Sequence, residues 1–305
     1  MQILQQTFSL RAVIGPAAFD QSDRTGKSPP VSVQDLVTQS VYLHRGPWWF
    51  ARLDAFLRGG MSRGCEGVAV KRWKLVAAVL LGLNAGPGLA QTTSGQFSVH
   101  ALGVKVGDLA IAGSVGSEQY TISAQFVTSG LAAAVAGVRF VMKSSGTTDG
   151  TKFSPRAYSE DMDTGKRESR VALRWSGGVA SASGSQVGDR GPYTVTRAQQ
   201  RGAVDPLTAI YMVVRDQPTD AICNMRQRIY DGERLTEIVL TNRSERSGKI
   251  LCSGVFRRVA GYSPEDLRER GQFGLKVTYE PAGNVVRATR VQADTIYGKA
   301  RLQRR

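Results

Sequence analysis

The chain has 305 residues, of which 41% are apolar and 8% aromatic, and its 40 Lys and Arg residues against 25 Asp and Glu residues give a net charge of +15. This length suits one large or two small domains with a hydrophobic core. The composition excludes a collagen-like chain and a low-complexity polymer, and three cysteines are too few for a disulfide-dense mini-protein.

A secretory signal peptide is predicted over residues 61–90. The basic cluster at 71–74 is followed by an apolar run at 75–83, then by Pro87 and small residues ending at Ala90. This order is typical of a signal peptide that is cleaved after Ala90. A permanent membrane anchor is the alternative, but a spanning helix needs about 20 apolar residues, which is far longer than this run. Gln91 follows the expected cut, and a lipoprotein would need Cys there.

Residues 1–60 precede this signal and show no sustained periodicity. Met61 stands where the start of a signal peptide belongs, so we interpret residues 1–60 as a disordered upstream extension translated from a mistaken start. A cytoplasmic tail on a single-span protein is the alternative. Processing would leave residues 91–305 as a single β-rich periplasmic domain without a permanent membrane span. That segment holds 30 Lys and Arg against 20 Asp and Glu, a net charge of +10.

Period-two alternation of apolar residues predicts a series of strands from Gln96 onward. A first candidate strand begins at Gln96 and ends at His100. Further strands are expected at 109–115, 120–126, 138–143, 156–163, 168–175, 192–197, 222–230, 233–241, 250–259, 272–280 and 285–293. Glycine-containing turns at 116–117, 164–165, 231–232 and 281–284 join four pairs of these strands into hairpins.

Three short helices are predicted between the strands. One is an alanine-rich segment at 129–136, and the others start at the capping pairs Asp205-Pro206 and Ser263-Pro264. The second continues as an apolar stripe at helical spacing to Val214. These elements predict a mainly β fold, a single strongly curved antiparallel sheet or partly open barrel with about three short helices packed on or inside it.

Residues for catalysis or metal binding are scarce in this segment. His100 is its single histidine, and neither zinc-ligand spacing nor a glycine-rich phosphate loop is present. The acidic stretch at 160–165 resembles the opening of a calcium loop but lacks the closing glutamate. We therefore predict no catalytic residue, no metal site and no cofactor.

The two cysteines of this segment, Cys223 and Cys252, are expected to form a disulfide in an oxidising compartment. A redox pair or two free thiols remain alternatives. A simple three-strand meander over 222–259 would hold the cysteines about 9.6 Å apart, more than the roughly 7 Å that a disulfide spans between Cα atoms. Either the third strand does not neighbour the second, or the cysteines lie at curled strand ends.

Basic residues cluster at 166–167, at 257–258 and in the carboxyl-terminal tail, where they are Lys299, Arg301, Arg304 and Arg305. In an exported protein these cations would meet anionic lipid headgroups or lipopolysaccharide phosphates, and we predict no nucleic-acid partner. A solvated basic surface without a specific partner is an equal alternative.

Five segments carry a family resemblance: GVKVG at 103–107, YTISAQFVTSGL at 120–131, VDPLTAIY at 204–211, YDGER at 230–234 and CSGVFRRVAG at 252–261. In these segments, and over nearly all of residues 96–300, the chain resembles the proteobacterial exported family known as domain of unknown function 3108. The resemblance implies a periplasmic β-rich protein. The expected curved sheet is similar in style to lipoprotein-carrier folds, which hold helices against a concave apolar face. The family supplies no established catalytic residues.

Our leading functional hypothesis is a non-enzymatic envelope protein, a binding or structural module with affinity for an apolar or amphipathic ligand. The ligand would be a lipid or lipopolysaccharide-like amphiphile, and other envelope proteins are alternative partners. The residues expected to line the concave face are Leu109, Ile111, Tyr120, Ile122 and Phe126, for which an ordinary core role is the alternative. A carboxylate-dependent hydrolase or transferase of envelope polymers is the second hypothesis. Two buried carboxylates facing a cleft would favour this enzyme, an acid-free apolar cavity would favour binding, and a filled interior would indicate a scaffold.

Overall fold

Fourteen β-strands form one continuous sheet in residues 91–185 and 191–305, the part of the chain that this computed structural model describes. They are β1 (Gln91–Ala101), β2 (Val104–Val115), β3 (Gln119–Thr128), β4 (Arg139–Thr148), β5 (Phe153–Asp163), β6 (Glu168–Ser176), β7 (Val179–Gly184), β8 (Ala203–Val204), β9 (Met225–Tyr230), β10 (Leu235–Arg246), β11 (Lys249–Ala260), β12 (Gln272–Ala282), β13 (Val285–Thr295) and β14 (Gly298–Arg304). Buried and exposed side chains alternate strictly along β3, as expected for a strand with one face in a core. The prediction of a mainly β fold is confirmed.

The sheet is built from two meanders that meet at its centre. Its strand order is β7-β6-β5-β4-β3-β2-β1-β14-β13-β12-β11-β10-β9-β8. Every neighbouring pair is antiparallel except β8 and β9, which are parallel. The first and last strands pair directly, with Phe97 opposite Arg304 and Ala101 opposite Ala300. This confirms the single curved antiparallel sheet.

The two edges of the sheet, β7 and β8, come together through side chains. Ala180 of β7 packs in one buried cluster with Ala203 of β8 and Tyr230 of β9. The backbone N–H of Ala180 donates to the side-chain oxygen of Gln200 at 3.0 Å, which satisfies one of the exposed backbone groups of an edge strand. Within the described residues no ladder joins β7 to β8, so the barrel is partly open at this seam.

Four short helices interrupt the described strands. They are α1 (Leu131–Val135), α2 (Arg197–Gln200), α3 (Pro206–Val214) and α4 (Pro264–Arg270). The predicted caps are confirmed: the side chain of Asp205 accepts from the N–H of Thr208, and Ser263 forms a capping box with Asp266. These contacts satisfy backbone donors that a helix start leaves unpaired.

The predicted strand at 192–197 is wrong. The backbone N–H of Thr194 donates to the carbonyl of Gly191 in a turn, and Thr196 then caps α2 through a capping box with Gln199. The β-branched residues at 194–196 suggested a strand, but the side-chain oxygen of Thr196 offers the backbone a competing helix start. Three strands were missed, β7, β8 and β14. The first consists mainly of Ala, Ser and Gly, the second has only two residues, and the third is rich in basic residues.

The disulfide between Cys223 and Cys252 is present, with Cα atoms 4.9 Å apart. Cys223 lies before β9, in a left-handed conformation with φ of 59°. Cys252 of β11 stands opposite Arg243, beyond the last residue of β10 that pairs with β9, Leu240. The bond therefore passes the end of β9, which resolves the spacing problem of a simple meander in favour of cysteines at strand ends.

In residues 91–185 and 191–305, no helix combines the length and apolar character needed to cross a bilayer. The predictions for residues 1–60 and for the signal peptide at 61–90 lie outside the described residues.

Candidate functional site

Helix α3 lies inside the curved sheet. Seven of its nine residues are buried, and Ile210 and Met212 are half-buried. A helix that is apolar on nearly all sides is stable only when surrounded by protein. The ring of Tyr211 lies directly over Gly113 of β2, where any Cβ would collide with it, so that glycine admits the helix close to the sheet.

A buried polar group, here called the anchor cluster, fixes the start of α3; its members are Tyr120, Ser144, Asp205 and Thr208. The Asp205 carboxylate accepts from the hydroxyl of Ser144 at 2.7 Å, and from the N–H and the hydroxyl of Thr208 at 2.8 and 2.6 Å. The Tyr120 hydroxyl lies 3.1 Å from that of Thr208. Burial raises the pKa of Asp205 despite these donors, because desolvation penalises the charged form. All four side chains are buried, and the cluster ties α3 to β3 and β4.

The carboxyl-terminal end of α3 is also fixed, by side chains that hydrogen-bond to its last two carbonyl groups. The Tyr279 hydroxyl donates to the carbonyl of Val213 at 2.8 Å, and the Arg304 guanidinium donates to that of Val214 at 3.1 Å. Arg304 also stacks 4.8 Å over the ring of Phe97. A cation at a helix carboxyl terminus interacts favourably with the helix dipole. The predicted tail cation Arg304 is therefore a half-buried structural residue that caps α3.

Between α3 and the inner face of the sheet lies a cavity of about 70 Å³. Its lining consists of Val99, Leu109, Phe126, Met142, Pro206, Ala209, Ile210, Val213, Val214, Ile229, Ile238, Leu275, Val291, Ala293, Ala300, Arg301 and Leu302. Arg301 is the one residue of this set that is not apolar. Its neighbours Ala300 and Leu302 are buried, so strand alternation places the Arg301 side chain on the outer face. The surface of the cavity is thus almost entirely hydrocarbon.

Two of the five predicted lining residues, Leu109 and Phe126, border this cavity. The other three are buried elsewhere in the core: Ile111 and Ile122 on the inner faces of β2 and β3, and Tyr120 in the anchor cluster with its ring 5.0 Å from Phe153. Sequence reasoning missed the contributions of α3 and of the strands β1, β4, β9, β10 and β12–β14. The apolar stripe of α3 was visible in the sequence, but which wall it faces depends on tertiary packing.

Two further carboxyls with raised pKa values lie near the seam. Tyr158 donates its hydroxyl to Glu160 at 2.6 Å, and burial is the main reason that the pKa of Glu160 is raised. Burial likewise raises the pKa of Asp231, whose carboxylate accepts from the N–H groups of Glu233 and Arg234 at 3.0 and 2.7 Å. Asp231 is therefore occupied in closing the β9–β10 turn, and neither acid borders the apolar cavity.

Several of the predicted basic clusters have structural partners. Arg257 donates to the buried carboxylate of Glu237 at 2.6 Å, and Arg258 lies 4.9 Å from the ring centre of Tyr262. Arg305 forms an ion pair with Asp108. Four residues of the predicted clusters are exposed: Lys166, Arg167, Lys299 and Arg305.

Comparison with known proteins places the chain by family. The model of the family described as proteins of unknown function, DUF3108, matches residues 96–297. A search of curated proteins finds no match. Among solved structures, the chain is similar to a β-barrel-like protein of DUF1849 from Brucella abortus, with 10% identity and a TM-score of 0.36 over 72% of this chain and 97% of the other. Because the family match spans most of the sheet, this chain belongs to the DUF3108 family.

Proposed function

We propose that this chain is a non-enzymatic protein of the cell envelope that binds the apolar part of an amphipathic ligand in the cavity beside α3. The observation that carries the proposal is the lining of that cavity, in which every residue except Arg301 is apolar and none is acidic. Concave apolar sites of this kind are where proteins bind small apolar ligands. An acid-free apolar cavity was the feature expected of a binding module.

The size of the cavity limits what enters it without movement. An engineered apolar cavity of about 150 Å³ accommodates benzene, and this one is about half as large. An acyl chain therefore needs the middle of α3 to move, since both ends of the helix are tied. Ile210, which borders the cavity and is only half-buried, is the side chain whose displacement would widen it.

The Cys223–Cys252 bond supports the proposed location in the periplasm. Disulfides persist in oxidising compartments and are rare in the bacterial cytosol. Cys252 is fully buried and Cys223 is 9% exposed, so the bond belongs to the core of the fold. The periplasmic location itself rests on the signal peptide predicted at 61–90.

The alternative, a carboxylate-dependent hydrolase or transferase of envelope polymers, has weaker support. It requires two acids that face a common cleft. Glu160 and Asp231 have raised pKa values, but Asp231 is held by its own turn and both lie away from the cavity. The arrangement favours binding over acid–base chemistry.

The test is to identify what the protein carries. The full chain is expressed in a secreting bacterium, recovered from the periplasm and extracted for lipid analysis by mass spectrometry. Ala293→Leu fills the cavity and should remove the ligand, whereas Ala112→Leu, on the exposed outer face of β2, should retain it. Absence of lipid from repeated preparations, or equal lipid in both variants, would refute the proposal. Amino-terminal sequencing of the same material should find Gln91, and any residue upstream of 75 would contradict export by cleavage.

A further inference from the structure

The exposed large apolar side chains are concentrated at one end of the barrel. In the described residues they are Leu102, Val104, Val127, Leu131, Tyr193, Val259, Leu267 and Ile296. Except for Tyr193, they lie in α1, in α4, in the turns after β1 and β13, or within two residues of a strand terminus at that end. Tyr193 borders a groove with Gly232 and Gly261 of the same end. Single exposed apolar residues are ordinary, but a patch confined to one end marks an interaction surface.

Four of these residues, here called the apolar rim, occupy neighbouring turns: Leu102, Val104, Leu131 and Ile296. They are 58%, 57%, 83% and 39% exposed. The N–H of Leu102 donates to the carbonyl of Lys299 at 3.1 Å, which joins the β1–β2 turn to the β13–β14 turn that carries Ile296. The segment before α1 is joined to β2 in the same way, because the N–H of Ser129 donates to the carbonyl of Val106 at 3.2 Å. The four rim residues therefore lie on neighbouring segments that are joined by backbone hydrogen bonds.

Leu102 is an unusual residue for its backbone position. Its φ is 53°, in the left-handed region that favours Gly and Asn and penalises bulky side chains. More than half of the side chain is exposed, so burial in the core does not offset this strain. An exposed leucine at a strained turn is better explained by a contact outside the barrel.

Cations without ion-pair partners border the rim. Lys299 and Arg301 follow the β13–β14 turn; Lys299 is exposed and Arg301 is half-buried. Neither forms an ion pair within the described part of the chain. The nearby acid Asp108 is neutralised by Lys105 at 2.9 Å and by Arg305, and Asp294 lies 4.0 Å from Arg270. The surface beside the rim is therefore cationic, which complements an anionic partner.

We propose that this end of the barrel docks on the surface of an anionic phospholipid bilayer. The rim side chains would enter the boundary between headgroups and acyl chains, and Lys299 and Arg301 would contact lipid phosphates. Apolar side chains beside exposed cations are the combination that binds such interfaces. This proposal does not depend on a ligand in the cavity.

The experiment measures co-sedimentation with vesicles of phosphatidylglycerol and phosphatidylcholine, compared with vesicles of phosphatidylcholine alone. The full chain is expressed, and each protein is purified in the form that the expression host produces after any cleavage of its amino terminus. All variants are compared at the same measured amino terminus, because residues 75–83 are themselves apolar. Wild-type protein should prefer the anionic vesicles and be released by high salt. Equal binding to neutral vesicles would overturn the proposal.

Two variants separate the rim from its cations. The triple change Leu102→Asn, Leu131→Asn and Ile296→Asn should lower vesicle affinity at least tenfold. Lys299→Gln with Arg301→Gln should lower it by roughly fivefold per cation. The matched control, Lys152→Gln with Arg246→Gln, removes two exposed cations from the opposite end and should change affinity less than twofold. Circular dichroism checks that each variant is folded.

The outcomes distinguish this surface from the cavity. Ala293→Leu should lose co-purifying lipid yet keep its affinity for vesicles, and the rim variant should do the reverse. If the rim variant and the control bind vesicles equally, the proposal is wrong. A rim variant that keeps vesicle binding but loses a co-purifying protein would identify a protein interface instead, which also overturns it.

Discussion

Removal of the Cys223–Cys252 bond should destabilise the fold by an amount that its loop size sets. The cysteines are 29 positions apart in the sequence, and closing such a loop lowers the entropy of the unfolded chain enough to stabilise the protein by roughly 3.6 kcal/mol at 25 °C in the chain-entropy model. Cys252 is fully buried, so reductants are expected to reach the bond slowly in the folded protein. The perturbation is therefore the double variant Cys223→Ala with Cys252→Ala.

Urea unfolding followed by circular dichroism measures this loss. The double variant should have a lower midpoint and a somewhat larger m-value, since its unfolded chain is no longer constrained and exposes more surface. The control is wild-type protein unfolded with and without reductant, which compares the bonded and reduced states in the same sequence. A loss below about 1 kcal/mol would refute the loop-closure reasoning. Reaction of Cys223 and Cys252 with a thiol reagent in unreduced protein would show that the disulfide does not form.

Three other predictions concern the interior and the rim. Burial raises the pKa of Asp205 in the folded protein above its value in the unfolded chain. The protonated carboxyl therefore stabilises the fold at low pH, and this stabilisation is lost as the pH rises through the pKa of the folded state. Asp205→Asn should therefore cost less stability at pH 8 than at pH 5 in urea unfolding, and a cost that grows with pH would contradict this. Ala293→Leu, which fills the cavity, should stay within about 1 kcal/mol of wild type, whereas Ala288→Leu in filled core should cost about 1–3 kcal/mol; equal costs would argue against the cavity. Leu102→Asn should raise the thermal midpoint slightly by relieving strain, and a clear decrease would show that Leu102 packs for stability.

The anchor cluster shows how far local signals reach. The sequence identifies Asp205 as a cap because a side-chain acceptor before proline is a helix start wherever it occurs. The same pattern does not reveal that its carboxylate also accepts from Ser144, which is 61 positions earlier. That contact exists only because β4 and α3 are packed together.

The predicted ligand-lining residues divide in the same way. Alternation correctly assigns Leu109 and Phe126 to the inner face of the sheet, because strand geometry turns every second side chain to one side. It cannot separate these two, which border the cavity, from Ile111 and Ile122, which are buried away from it. That distinction depends on where α3 lies inside the sheet.

Local sequence determined most of the strands, the hairpin turns and the helix caps, because period-two patterns and capping residues act over a few positions. Tertiary structure alone decided that β1 pairs with β14, that α3 enters the barrel and that two cysteines meet past the end of β9. Pairing with neighbouring strands also stabilises β7 and β14 as strands, although their own residues favour the extended conformation only weakly. The physical reason is that such long-range contacts depend on the sum of many packing interactions, which no short segment of the chain encodes.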